Sequence, residues 1–112
     1  MREIKFRAWD DKRKLMYLAV GICCDGTPFD HEEKVLYDTI PMQFTGLRDR
    51  SGKEIFEGDI ISYKIEMAGY TDKHKEVVIF KEGRFKPVIH PHYEPQIIGN
   101  IYENPELLKE KL

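Results

Sequence analysis

Residues 43–61, QFTGLRDRSGKEIFEGDII, pack two turn signals and three short apolar runs into nineteen positions. Asp49-Arg50-Ser51-Gly52 supplies a side-chain acceptor followed by a glycine, the combination that closes a tight turn. Glu57-Gly58-Asp59 repeats the device just before the apolar pair Ile60-Ile61. Only residues 53–56 separate the two turns, too few for a helix, so the segment predicts short strands. It points to a mainly β fold and names no chemistry.

On the amino-terminal side, Ile4, Phe6 and Ala8 alternate with Lys5, Arg7 and Trp9, the period-2 pattern of a strand with one apolar face. The polar stretch 10–14 and the apolar run 15–20 extend this into a hairpin over residues 3–20. Residues 21–34 contain Asp25-Gly26, Pro28 and the ionisable run His31-Glu32-Glu33, and are expected to form a loop. Val35-Leu36-Tyr37 and Met42-Gln43-Phe44 predict two short strands broken at residues 38–41, because Pro41 cannot donate to a ladder.

On the carboxy-terminal side, residues 60–66 read as a strand with one buried face, and residues 69–75 as a polar, mobile connection. Glu76-Val77-Val78-Ile79-Phe80 is β-branched, and Glu82-Gly83 turns it into residues 84–88, the hairpin expected to lie in the core. Residues 96–102 return to strand character. Asn104 then suits a helix cap, Pro105 the first helical position and Glu106 the positive end of the helix dipole, predicting a short carboxy-terminal helix. Frequent turns and seven or eight short strands suggest a small barrel, SH3-like in its commonest form, or two packed sheets.

The 112 residues carry 18 Lys and Arg against 20 Asp and Glu, a formal charge of −2. One domain over residues 1–112 is expected, with one core. The charge balance argues against attraction of a polyanion to the whole surface, leaving room for a local basic patch. Cys23 and Cys24 are adjacent, a spacing that disfavours a mutual disulfide, and read as two reduced thiols. No apolar run approaches the length of a membrane span or a signal core, so a cytoplasmic location is expected.

His90-Pro91-His92-Tyr93-Glu94 is the closest approach to a metal-ligand cluster, yet Pro91 interrupts any strand and no further ligand frame accompanies His90 and His92. A solvated loop is the preferred reading, with no metal and no cofactor. Glu54, Glu57 and Asp59 could serve acid–base or metal-dependent phosphodiester chemistry, but Glu57 and Asp59 bracket a glycine turn, where carboxylates serve the backbone. No nucleophile or phosphate-loop motif is present, and no catalytic residue is assigned. Most aromatic residues fall at core-filling positions. Trp9, on the face shared with Lys5 and Arg7, is expected to be free to stack; with Arg13 these residues form the candidate contact set for a partner or a nucleic acid.

Three blocks together, MREIKFRAWD at the amino end, QFTGLRDRSGKEIFEGDII in the centre and IIGNIYENPELL at the end, resemble the YopX family of phage and prophage proteins. The resemblance spans nearly the whole chain but excludes residues 21–40 and 66–76. It implies a mainly β phage or prophage product made in the bacterial cytoplasm, and brings no catalytic residues with it. Its recurrent positions, among them Phe6, Arg7, Trp9, Gly52, Gly58, Asp59, Gly99, Asn100 and Asn104-Pro105, read as packing, turns and a cap. The leading expectation is therefore a non-enzymatic module that binds a host or phage protein, with a homo-oligomer as one form it could take. A nucleic-acid-binding β module using the basic amino-terminal hairpin is the alternative, and a small metal-dependent hydrolase or nuclease the least favoured.

Overall fold

A computed structural model describes residues 3–108. The strands are β1 (Phe6–Asp10), β2 (Leu15–Ile22), β3 (Pro28–Phe29), β4 (Thr39–Arg48), β5 (Glu54–Phe56), β6 (Asp59–Met67), β7 (Tyr70–Val77), β8 (Ile79–Lys81), β9 (Arg84–Lys86) and β10 (Gln96–Asn100). They form antiparallel sheets in the orders β3-β2-β1-β4-β5, β10-β6-β7 and β8-β9. The fold is mainly β, as the turn spacing predicts, but among the described residues the sheets do not close into a barrel, SH3-like or otherwise. Three small sheets meet through the turns that the sequence marks.

The hairpin of residues 3–20 forms, with Asp10 Oδ1 accepting the Lys12 and Arg13 N–H groups at its tip (3.0 and 3.1 Å). Pro41, however, lies inside a continuous β4 and faces Ala8 of β1. β5 joins the other edge of β4 only from Phe44 onward, so the proline sits where that edge is open and no ladder donor is required. The predicted strand at residues 35–37 reduces to one bridge, Phe29 to Val35.

Within the expected loop 21–34, β3 pairs with the end of β2, and the Phe29 ring lies over Gly21. A Cβ at Gly21 would fall 2.1 Å from that ring, so only glycine fits. Residues 69–75 are likewise not a mobile connection; Gly69 lies in a turn and residues 70–75 belong to β7, paired along β6 from Ile60–Val77 to Met67–Tyr70. β7 was hidden because YTDKHKEV is an edge strand whose charges keep it from pairing further, rather than an apolar run. The β8-β9 hairpin is present, with Glu82 and Gly83 both at positive φ (55° and 80°), as a type I′ turn requires. It is not the core pair: Ile79 and Phe80 are exposed, and the buried residue of this stretch is Val78.

The core lies where the sheets meet. Ile55, Ile61 and Val78 are buried together, with Tyr63, Phe85, Ile89 and Ile97 packed against them. Ile60 and Ile61 point to opposite faces of β6, yet both are buried. This end of β6 is therefore covered on both sides, which explains why the central segment ends in an apolar pair instead of an alternating pattern.

The carboxy-terminal helix is one 3-10 turn, Pro105–Leu108; the chain beyond it lies outside the described residues. Asn104 does not cap it with its side chain. Its backbone carbonyl accepts the Leu107 N–H (3.1 Å), while Oδ1 turns back to the Asn100 N–H (3.2 Å). That places Oδ1 2.6 Å from where a Cβ on Gly99 would stand. Gly99→Ala is expected to destabilise the fold by about 1–3 kcal/mol through this overpacking. Urea titrations should show the loss shrinking in an Asn104→Gly background, where the added methyl has room.

Candidate functional site

The two turns of residues 43–61 are joints between sheets as well as reversals of the chain. At the first, Gly52 adopts φ +88°, and Asp49 Oδ1 accepts the Ser51 and Lys53 N–H groups (2.8 and 2.9 Å). Asp49 Oδ2 reaches across to the Ile97 N–H of β10 (3.1 Å), and the Arg50 N–H donates to the Pro95 carbonyl (2.8 Å). Burial works to raise the Asp49 pKa, but the hydrogen bonds from Ile97, Lys53 and Ser51 outweigh it and hold the carboxyl below its ordinary value.

At the second turn, Gly58 has φ +86° and its surroundings leave no space: a Cβ would lie 3.1 Å from the Met42 sulfur and 3.3 Å from the Tyr102 ring. Asp59 is 2 % exposed. Its Oδ2 accepts the Phe56 N–H (2.8 Å) and its Oδ1 the Arg7 Nη2–H (2.7 Å). Arg7 Nη2 also donates to the Glu57 carbonyl (3.2 Å), and the guanidinium lies 4.8 Å from the centre of the Phe56 ring. Burial pushes the Asp59 carboxyl above its ordinary value, and the attraction of Arg7 and the Phe56 N–H only partly offset this. Arg7 Nε is buried and has no hydrogen-bond partner among the described residues.

This geometry removes Arg7 and Trp9 from the accessible surface that the candidate contact set needs, and leaves Lys5 and Arg13 on it. Arg7 and Trp9 are buried, at 8 % and 2 % exposure, because β1 is the middle strand of its sheet and is covered on both faces. Trp9 stacks on Tyr102 with ring centres 6.0 Å apart and is not free to stack on a ligand. Lys5 is bound by Glu3 and Glu54. At the hairpin tip Lys12, Arg13 and Lys14 each lie near a carboxylate, Asp38, Asp10 and Asp11 respectively. The basic run therefore carries its own counter-charges.

The carboxylates do not assemble either. Glu57 Oε1 accepts the Gln43 N–H (2.8 Å), Glu54 faces Lys5 and Arg48, and Asp59 faces Arg7. His90 and His92 stack with ring centres 4.7 Å apart, and His90 Nδ1 accepts the His92 N–H (3.1 Å), which occupies one candidate ligand atom. Among the described residues no three His, Cys, Asp or Glu side chains are placed to hold an ion. Cys23 and Cys24 are free thiols.

Just outside the second turn the surface opens into a groove of about 240 Å³ with a mixed lining, Glu57 and Tyr102 among it, and an apolar rim. Met42, Gly58 and Val78, all buried, form its floor, and Ile40, Ile79 and Phe80 form its rim at 41 %, 43 % and 50 % exposure. Sequence reading missed this site because Ile79 and Phe80 look like core residues when the chain alone is considered. Their exposure follows from the two-strand sheet β8-β9 having no further layer over it.

A family model described as YopX protein matches residues 5–109 of the chain. The chain belongs to the YopX family. No curated protein matches it. Among solved structures, this YopX chain is similar to the crystal structure of protein EF1440 from Enterococcus faecalis, at 28 % identity and a TM-score of 0.71. The match covers 96 % of this chain and 99 % of that one, so the YopX fold extends over both. No helix among the described residues is long and apolar enough to cross a membrane.

Proposed function

We propose that the protein is a non-enzymatic interaction module, made by a phage or prophage in the bacterial cytoplasm, that binds a host or phage protein. The observation that carries this reading is the exposed apolar rim of Ile40, Ile79 and Phe80 round a groove. Exposed apolar side chains gathered round a preformed depression suit an apolar anchor from a partner chain, because docking removes both surfaces from water. The non-catalytic part of the reading is supported by Glu57, the carboxylate on the groove lining, whose Oε1 accepts the Gln43 N–H, and by Arg7 and Asp59 behind it, which are engaged with one another and with backbone.

Affinity purification from phage-infected or induced cells tests the proposal, with light scattering on the same preparation to separate a foreign partner from a second copy. The expected result is a protein retained by the native chain and lost by at least tenfold with Phe80→Lys, which places a charge on the groove rim. Equal recovery by both chains, or a monomer with no partner, would count against it.

A further inference from the structure

The antiparallel register of β6 and β7 sets Lys64 directly opposite Lys73, and Ser62 opposite Lys75. Directly paired residues project from the same face with Cβ atoms about 4.5–5.5 Å apart, and like charges in that arrangement weaken a sheet. Gln96 of β10 faces Ser62 and extends the same surface. The first turn closes one side, its position fixed by the Arg50 N–H to the Pro95 carbonyl. Arg50, Ser62, Lys64, Lys73 and Gln96 thus line an open cleft of about 260 Å³.

One carboxylate on this lining, Glu94, lies 3.5 Å from Lys64. Arg50 and Lys73 make no ion pair among the described residues. The contrast with the amino-terminal hairpin is direct: there each tip cation has a carboxylate, whereas here three cations converge on a cleft with one. In a chain of net charge −2, uncompensated convergence on one face of a sheet favours a ligand that supplies the missing negative charge.

We propose that this cleft binds the phosphate backbone of a nucleic-acid strand. Arg50 offers a planar fork, Lys64 and Lys73 offer point charges, and Ser62 and Gln96 offer neutral donors to phosphate or sugar oxygens. The open shape suits successive phosphodiesters along a strand, because a single enclosed phosphate is more often held by a ring of backbone N–H groups. The contacts are to backbone, so binding is expected to be indifferent to sequence. This site is separate from the groove rimmed by Ile40, Ile79 and Phe80 and does not depend on it.

The test uses the full chain and a labelled, mixed-sequence single-stranded oligonucleotide of roughly 20 nucleotides, followed by fluorescence anisotropy. Three phosphate contacts predict an affinity loss of about 20-fold between about 50 and about 200 mM salt. Arg50→Gln and Lys73→Gln should each reduce the salt slope by about 0.7, and Arg50→Glu with Lys73→Glu should abolish binding. Arg13→Glu, on the hairpin, should leave binding unchanged. Thermal melting keeps the result interpretable, since Lys73→Glu relieves the Lys64–Lys73 repulsion and should not lower the melting temperature. The proposal is overturned if the native chain does not bind, if binding survives the double reversal, or if poly-glutamate competes as well as the oligonucleotide.

Discussion

Arg7→Met is expected to destabilise the fold by about 3–5 kcal/mol at neutral pH, the cost of breaking a buried ion pair by removing one partner. Asp59, 2 % exposed, would keep one donor, the Phe56 N–H, and lose its counter-charge. The loss should depend on pH in a defined direction. Removing Arg7 deletes an influence that lowers the Asp59 pKa, so the carboxyl, already raised by burial, rises further. A group whose folded pKa lies above its unfolded value binds more protons when folded, so its contribution becomes more favourable as pH falls.

Urea titrations of the variant and the native chain should therefore differ most near neutrality and converge as pH falls through the raised Asp59 value. A constant difference across that range would show that Asp59 is not the group left uncompensated. The double change Arg7→Met with Asp59→Leu should recover part of the loss. It should not recover all of it, because the Phe56 N–H would then lack its acceptor and the Glu57 carbonyl its Arg7 donor.

The second large effect is expected at Asp49. Replacement by Ala should cost about 2–4 kcal/mol, since three backbone donors lose a charged acceptor. Replacement by Asn should cost somewhat less, because Oδ1 can still serve Ser51 and Lys53 while the amide nitrogen faces the Ile97 N–H. The Asp49 carboxyl lies below its ordinary value of 3.8. Its stabilisation is fully present above that unfolded value and is lost as pH falls through the depressed folded one. Acid unfolding of the native chain should thus include a contribution that Asp49→Asn lacks, visible as a shallower decline of stability below about pH 4.

The sequence disclosed those parts of the fold whose cause is local. Asp49 with Gly52, and Glu57 with Gly58 and Asp59, are turns because each side chain meets backbone within a few residues. The hairpin tips at residues 10–15 and 82–83 were legible for the same reason. The Arg7–Asp59 pair joins residues 52 apart, and Asp49 reaches Ile97 over 48; nothing in the neighbourhood of either residue marks its distant partner. β7 escaped detection because an edge strand need not be apolar, and Pro41 misled because its open edge depends on where β5 begins.

Both candidate surfaces were illegible for a related reason. Ile40, Ile79 and Phe80 become exposed only because the third sheet stays small, and Arg50, Lys64 and Lys73 converge only through strand register. Conversely Trp9 and Arg7, which a two-faced strand would have left accessible on one side, are enclosed because β1 lies in the middle of its sheet.

The fold depends on a few polar side chains: Asp49 accepts three backbone N–H groups, Asn100 Oδ1 accepts two, from Tyr102 and Glu103, and the Arg7–Asp59 pair meets the Glu57 carbonyl and the Phe56 N–H. Apolar positions can exchange Ile, Leu and Val at modest cost when volume is kept, whereas no other residue type reproduces the donors and acceptors of these four. Descendants of such a chain can diverge through most of their length and keep the same shape, provided that this short polar alphabet stays in register. A fold shared with EF1440 at 28 % identity is compatible with that kind of tolerance.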